Sequence, residues 1–171
     1  AAWPHLREQN YGRVIFTAST SGIYGNFGQA NYGMAKLGLY GLTRTLAIEG
    51  RKNNIFVNAI APTGATRMTD GLFPAEMFEQ LKPELVSPLV VYLGSEACQE
   101  TAGLFEVGGG WMGKVRWERS LGLGFDPQAG FSPADVAANW QQICDFDGAV
   151  HPQDNMQAMQ QMIANLQRFA R

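Results

Sequence analysis

RVIFTASTSGIYGNFGQANYGMAK, residues 13–36, is the stretch whose reading decides the fold. It opens with RVIFTAS, from Arg13 to Ser19, a short apolar and β-branched run with the pattern of a buried strand. TSGIYGNFGQ then concentrates glycine, serine and asparagine, the residues of a loop. From about Ala30 the pattern is helical as far as Glu49, and EGRKNN follows with a glycine to stop the helix and cations for its negative end. Strand, glycine-rich loop and helix in that order open a βαβ unit.

Working outward, IFVNAIAP (Ile55–Pro62) reads as a second buried strand, closed by a proline that cannot continue the ladder. AEMFEQLK and VSPLVVYLGSEAC read as helices, the latter with Pro88 in its first turn, and GLFEVGG (Gly103–Gly109) as a third strand. The alternation predicts an α/β fold with a parallel sheet and right-handed crossovers. Upstream, AAWPHLREQN spaces Trp3 and Leu6 three apart and then turns polar, like the second half of an amphipathic helix. It also opens without Met, so the chain is expected to start inside a larger fold. Beyond Gly113 the texture changes. SPADVAANWQQI offers Ser132 as a cap, Pro133 in the first turn, Asp135 three after the cap, and Val136, Trp140 and Ile143 on one face, which predicts one helix. NMQAMQQMIANLQRF repeats Met156, Met159, Ile163, Leu166 and Phe169 at helical spacing, which predicts a packed C-terminal helix. The expected division is a sheet-bearing core over residues 1–113 and a helical extension over 114–171 that packs on it.

Composition bounds the rest. A chain of 171 residues, 46% hydrophobic and 16% charged, has ordinary globular composition, which excludes disordered and collagen-like classes. Lys+Arg number 13 against 15 Asp+Glu, and a net charge of −2 favours neither nucleic acid nor an anionic membrane surface. Cys98 and Cys144 lack C-x-x-C spacing, which speaks against a disulfide framework or zinc site and for a reducing compartment. No apolar run reaches the ~18 to 20 residues of a membrane helix, and no basic leader precedes an apolar core. A soluble, cytoplasmic protein is expected.

Several tempting features are set aside. GGGWMG (Gly108–Gly113) matches G-x-G-x-x-G after a strand, but the charged KVRWERS that follows opens no apolar helix, so the match reads as a glycine-rich strand exit. His5 and His151 lack ligand-spaced partners, and no metal site is expected. Lys114, Arg116 and Arg119 read as a solvated basic face.

Tyr32 and Lys36 remain. Positions i and i+4 lie one above the other on a helix, so the ammonium can approach the phenol. A cation within ~4 to 6 Å favours a phenolate, which suits a tyrosine to proton transfer. The spacing alone is common on exposed helices; its context is not. Ser19 ends the preceding strand thirteen residues before Tyr32, and Gly22, Gly25 and Gly28 let the loop fold tightly, so that hydroxyl and phenol can converge on one carbonyl.

SGIYGNFGQANYGMAK, with VNAIAP downstream, resembles the short-chain dehydrogenase/reductase family, whose signature is Ser, then Tyr-x-x-x-Lys, then Asn-Ala-x-x-Pro after the next strand. SGIYGNFGQANY, LAIEGRKNNI, GLFEVGGGWMGKVRWERS and DVAANWQQICDF narrow the likeness to the (3R)-hydroxyacyl-CoA dehydrogenase portion of the multifunctional β-oxidation enzymes. The resemblance implies a doubly wound, Rossmann-like fold with extra C-terminal helices, NAD or NADP as cofactor, an acyl-CoA substrate, and a peroxisomal location in a eukaryote. It assigns Ser19 to the substrate oxygen, Tyr32 to proton transfer, and Lys36 to the nicotinamide ribose and to assisting ionisation of the tyrosine. It places Pro62, Gly64, Ala65, Thr66 and Arg67 against the nicotinamide carboxamide, although PTGATR stands here where the wider family has Pro-Gly.

The family's phosphate-binding glycine loop, its acidic selector of NAD over NADP and its catalytic asparagine all precede the point where this chain begins. The expectation is therefore the C-terminal part of a dehydrogenase domain that needs an N-terminal half to bind NAD tightly. A homodimer through the Ala30–Glu49 helix is also expected, because Gly33, Gly38 and Gly41 expose its backbone to another helix. The alternatives are a catalytically silent assembly piece of the same fold and a 3-ketoacyl reductase of lipid synthesis.

Overall fold

A computed structural model describes the chain except for Met68, Asp70, Leu72 and Arg171. The helices are α1 (Trp3–Glu8), α2 (Thr20–Tyr24), α3 (Ala30–Gly50), α4 (Ala75–Gln80), α5 (Ser87–Gly94), α6 (Pro133–Ala138), α7 (Trp140–Ile143) and α8 (Asn155–Arg168). The strands are β1 (Gly12–Thr17), β2 (Ile55–Pro62), β3 (Leu104–Gly108) and β4 (Trp111–Val115). They lie side by side in that order, β1, β2 and β3 parallel and β4 antiparallel to β3. Among the described residues no helix is long and apolar enough to cross a membrane.

Two faces of the sheet are covered. In β2 the odd positions Ile55, Val57 and Ala59 turn to α3, where they meet Ala47 and Tyr40, while Ile60 joins Leu89 and Leu93 of α5. β1 divides the same way, Val14 and Phe16 packing with the first group and Ile15 with the second. A strand buried on both faces cannot alternate apolar with polar, which is why IFVNAIAP reads as one apolar run. The helices therefore wrap the sheet from both sides, the doubly wound α/β arrangement.

β4 was not expected. Gly109 and Gly110 both take positive φ, 57° and 81°, so GGGWMG is a two-residue hairpin turn with its returning strand. Lys114 stands on that strand and pairs with Glu100 at 2.9 Å. A lysine on an edge strand protects it from further pairing, and this charge is what disguised the strand in the sequence.

The chain divides into a compact unit of Ala1–Val115 and a second of Arg116–Arg171. In the second unit the stretch expected as one helix is two, α6 and α7. Asn139 lies between them, with φ −110° and ψ 12°, and its side-chain amide donates back to the Asp135 carbonyl at 2.8 Å. The methionine stripe also departs from expectation: Met156, Ile163 and Leu166 of α8 are exposed. The inward bonds of α8 are polar. Arg119 donates to the Ala158 carbonyl and to Gln161, each at 2.7 Å, and Asn165 donates to the Phe125 carbonyl at 3.0 Å. Arg119 is thus a partly buried clamp, not one of a solvated trio.

Asn58 ties the sheet together. Its side chain is 1% exposed in the middle of β2, donates to the Glu100 carbonyl at 2.8 Å, and accepts from the Gly103 amide at 3.0 Å, just before β3. Asn58→Leu keeps the branched shape of the side chain but leaves both backbone groups unpaired. It is expected to cost about 1 to 3 kcal/mol in chemical denaturation. An unchanged midpoint would contradict this role.

Candidate active site

The carboxyl ends of β1 and β2 lie together, Thr17 opposite Ile60, with the Ala18 amide donating to the Ile60 carbonyl at 2.7 Å. In open α/β sheets this edge carries the sites. Ser19, two residues past the end of β1, is the N-cap of α2, in extended conformation, and its Oγ accepts from the Ser21 amide at 3.2 Å. A capping hydroxyl that accepts in this way keeps its own proton free to donate elsewhere.

α2 leads through Gly25 and Gly28, both at positive φ, into α3. Tyr32 sits in the first turn of α3 with its ring 40% exposed, and its amide donates to the Asn31 side chain at 2.9 Å. Lys36, one turn on, places its Nζ 5.7 Å from the centroid of the Tyr32 ring. The same Nζ donates to the Thr17 carbonyl at 2.9 Å. One ammonium thus touches the tyrosine's helix and the end of the serine's strand. It has three protons and spends one here, which leaves two to donate elsewhere.

Close helix approach sets this geometry. A Cβ at Gly22 would lie 2.8 Å from the Leu37 amide nitrogen and 3.2 Å from the Lys36 carbonyl carbon. A Cβ at Gly33 would lie 3.1 Å from the Ser21 carbonyl oxygen. α2 and α3 therefore touch backbone to backbone beside the lysine.

The loop after β2 reaches the same edge. Thr63 donates its amide to the Val107 carbonyl at 2.8 Å, and Ala65 its amide to the Leu81 carbonyl at 2.6 Å. Thr69 Oγ1 accepts from the Thr66 amide at 2.8 Å and donates to the Gly64 carbonyl at 2.9 Å. Pro62, Gly64, Ala65 and Thr66 are thereby fixed at the end of β2, and Arg67 is exposed beside them. Lys36 thus lies against Tyr32 and against Thr17, two residues before Ser19, while the Pro62–Arg67 loop is held at the end of β2 by its own bonds. One concavity, of about 700 Å³, lies away from these residues, among Trp3, Arg7, Ile48 and Arg51.

Two further residues escaped sequence reasoning. Tyr24, the last residue of α2, donates its hydroxyl to Glu106 of β3 at 3.1 Å. Desolvation first, and then the hydrogen bond and charge of Glu106, push the Tyr24 phenol above its ordinary range, so it stays a donor. The available signal was an acidic residue inside the apolar strand GLFEVGG.

Gly22→Ala is expected to force the two backbones apart and to lower thermal stability by about 1 to 3 kcal/mol. A variant that melts with the parent would mean the helices are not locked at this point.

A family model described as short chain dehydrogenase matches residues 1–76, which include Ser19, Tyr32, Lys36 and the loop to Arg67. Peroxisomal multifunctional enzyme type 2 of Mus musculus is 57% identical over 154 residues, which cover 90% of this chain and 21% of that protein. Peroxisomal hydratase-dehydrogenase-epimerase of Neurospora crassa is 46% identical over 170 residues, 98% of this chain and 19% of that protein. Among solved structures, full-length peroxisomal multifunctional enzyme type 2 from Drosophila melanogaster matches with a TM-score of 0.89 at 39% identity, covering 98% of this chain and 31% of that one. The chain thus spans only a minor part of the length of these relatives. Residues 1–76, with the strand, helix and loop order of the site, thus match the short-chain dehydrogenase family, and the likeness to the peroxisomal enzymes runs along nearly the whole chain.

Proposed function

We propose that these residues carry the chemical half of a dehydrogenase site that oxidises (3R)-3-hydroxyacyl-CoA to 3-ketoacyl-CoA in fatty-acid β-oxidation, within a longer protein that supplies the adenosine half of the cofactor site. The observation that carries this reading is the Lys36 bond to the Thr17 carbonyl, which ties the helix of Tyr32 to the strand end of Ser19. The substrate class is supported by the relatives named as peroxisomal multifunctional and hydratase-dehydrogenase-epimerase enzymes, and those names also support a peroxisomal location in a eukaryote.

In this reading Ser19 donates its free proton to the substrate's C3 oxygen. Tyr32, as its phenolate, takes the proton of that hydroxyl while C3 gives up its hydride to the cofactor. Bound NAD, or NADP, supplies the hydride acceptor. Lys36 holds the nicotinamide ribose with its two remaining protons, and its charge steadies the negative charge on the phenol oxygen during transfer. The loop from Pro62 through Gly64, Ala65, Thr66 and Arg67 flanks the carboxamide.

In the full-length protein, Tyr32→Phe keeps the ring and removes the oxygen that takes the proton. Turnover of a 3-hydroxyacyl-CoA is expected to fall by about 10²- to 10⁴-fold with little change in cofactor affinity. Near-parental turnover would overturn the assignment.

We also propose that α3 pairs with its copy in a homodimer. Met34, Gly38, Gly41, Thr45 and Ile48 recur along one stripe of the helix, and Met34 and Ile48 are 74% and 56% exposed. A Cβ at Gly38 or Gly41 meets nothing within 4 Å, so packing inside this chain does not account for glycines that each cost about 1 kcal/mol in a helix. Close approach of a second helix does. Gly41→Leu is expected to shift sedimentation toward the monomer; an unchanged profile would contradict the proposal.

A further inference from the structure

α2 is five residues long, far too short to be stable alone, yet it presents the reactive serine as its N-cap. Its place is set by its neighbours. Gly22 meets α3, Ile23 packs with Tyr40 and Leu104 beneath it, and at its last residue Tyr24 reaches Glu106. Tyr24 is 67% exposed, so burial does not hold its ring; the hydroxyl does. The sheet makes room for this bond. Glu106 stands in register between Ala61 of β2 and Gly113 of β4, two small neighbours that leave the carboxylate free to cross to α2. Glu106 forms no ion pair among the described residues, and the adjacent Lys114 is engaged by Glu100 instead.

We propose that the Tyr24–Glu106 hydrogen bond is a tether that fixes the far end of α2 and thereby aims the Ser19 hydroxyl, making Tyr24 a positioning residue of the dehydrogenase site. The proposal rests on the reading of Ser19 given above. Ser19 and Tyr24 bracket the whole of α2, so a rotation of the helix about the Gly22 contact moves both ends. A hydroxyl aimed at a reacting oxygen tolerates little such movement, because misplacement by about an ångström is enough to slow an enzyme severely.

The test is a double-mutant cycle in the full-length protein. Tyr24→Phe is expected to lower kcat about 5- to 30-fold while the KM for the nicotinamide cofactor changes less than about twofold. Glu106→Gln, which keeps an acceptor, is expected to lose less than Glu106→Ala. In a Ser19→Ala background, Tyr24→Phe should have no further effect, because the group through which it acts is gone. An unchanged kcat in Tyr24→Phe, or the same fold-loss with and without Ser19, would overturn the proposal. A second readout needs no turnover. Amide hydrogen exchange across residues 20–25 should quicken in Tyr24→Phe while that of β2 stays the same. If the parent protein shows no dehydrogenase activity, the proposed function fails, and exchange alone decides the tether: unchanged exchange over residues 20–25 overturns it.

Discussion

A methyl group added at Gly22 would lie 2.8 Å from the Leu37 amide nitrogen, so α2 and α3 hold their separation only because glycine stands there. That contact sets the distance between the two segments that hold the proposed site residues. Ser19 caps α2 on one side of it, and Tyr32 and Lys36 lie in the turns of α3 on the other. The Lys36 bond to Thr17 then spans the same gap at the strand end. Backbone contact, a single charged hydrogen bond and a helix cap together hold three side chains that are up to seventeen residues apart in sequence.

The sheet gives this arrangement a rigid base. β1 and β2 are packed on both faces, and the buried side chain of Asn58 joins β2 to the segment entering β3 with both ends of its amide satisfied. A polar side chain inside an apolar strand is tolerable only with such partners. The loop that follows β2 inherits its position from that strand, and Thr69 fixes its turn through bonds to Gly64 and Thr66. The second unit is organised differently. None of its described residues is fully buried, and bonds from Arg119 and Asn165 to helix and loop stand where an apolar core would be expected.

What the sequence disclosed follows from what periodicity can carry. β2 spans Ile55–Pro62, as its apolar run and closing proline imply, and α3 extends one residue past its expected end, to Gly50. β4 was hidden because its alternation includes Gly113 and Lys114, although the Gly109–Gly110 pair was a hairpin signal in plain view. The division at Val115 rather than Gly113 follows from the same strand. The split of α6 from α7 depends on which partner the Asn139 amide chooses, and composition does not say. In the site, the order Ser19, Tyr32, Lys36 was legible as a motif. The Thr17 carbonyl was not, because every residue has one, and neither was the Tyr24–Glu106 pair, whose members are 82 residues apart.

We propose that the glycine contact and the Lys36 bond aim Ser19 and Tyr32 at one oxygen. A crystal structure of the full-length protein with a nicotinamide cofactor and a 3-ketoacyl-CoA or its unreactive analogue measures this directly. The account predicts Ser19 Oγ and Tyr32 Oη both within about 2.6 to 3.2 Å of the C3 oxygen, with Lys36 on the ribose. A C3 oxygen bound away from either hydroxyl, or a Lys36 with no contact to the ribose, would contradict it.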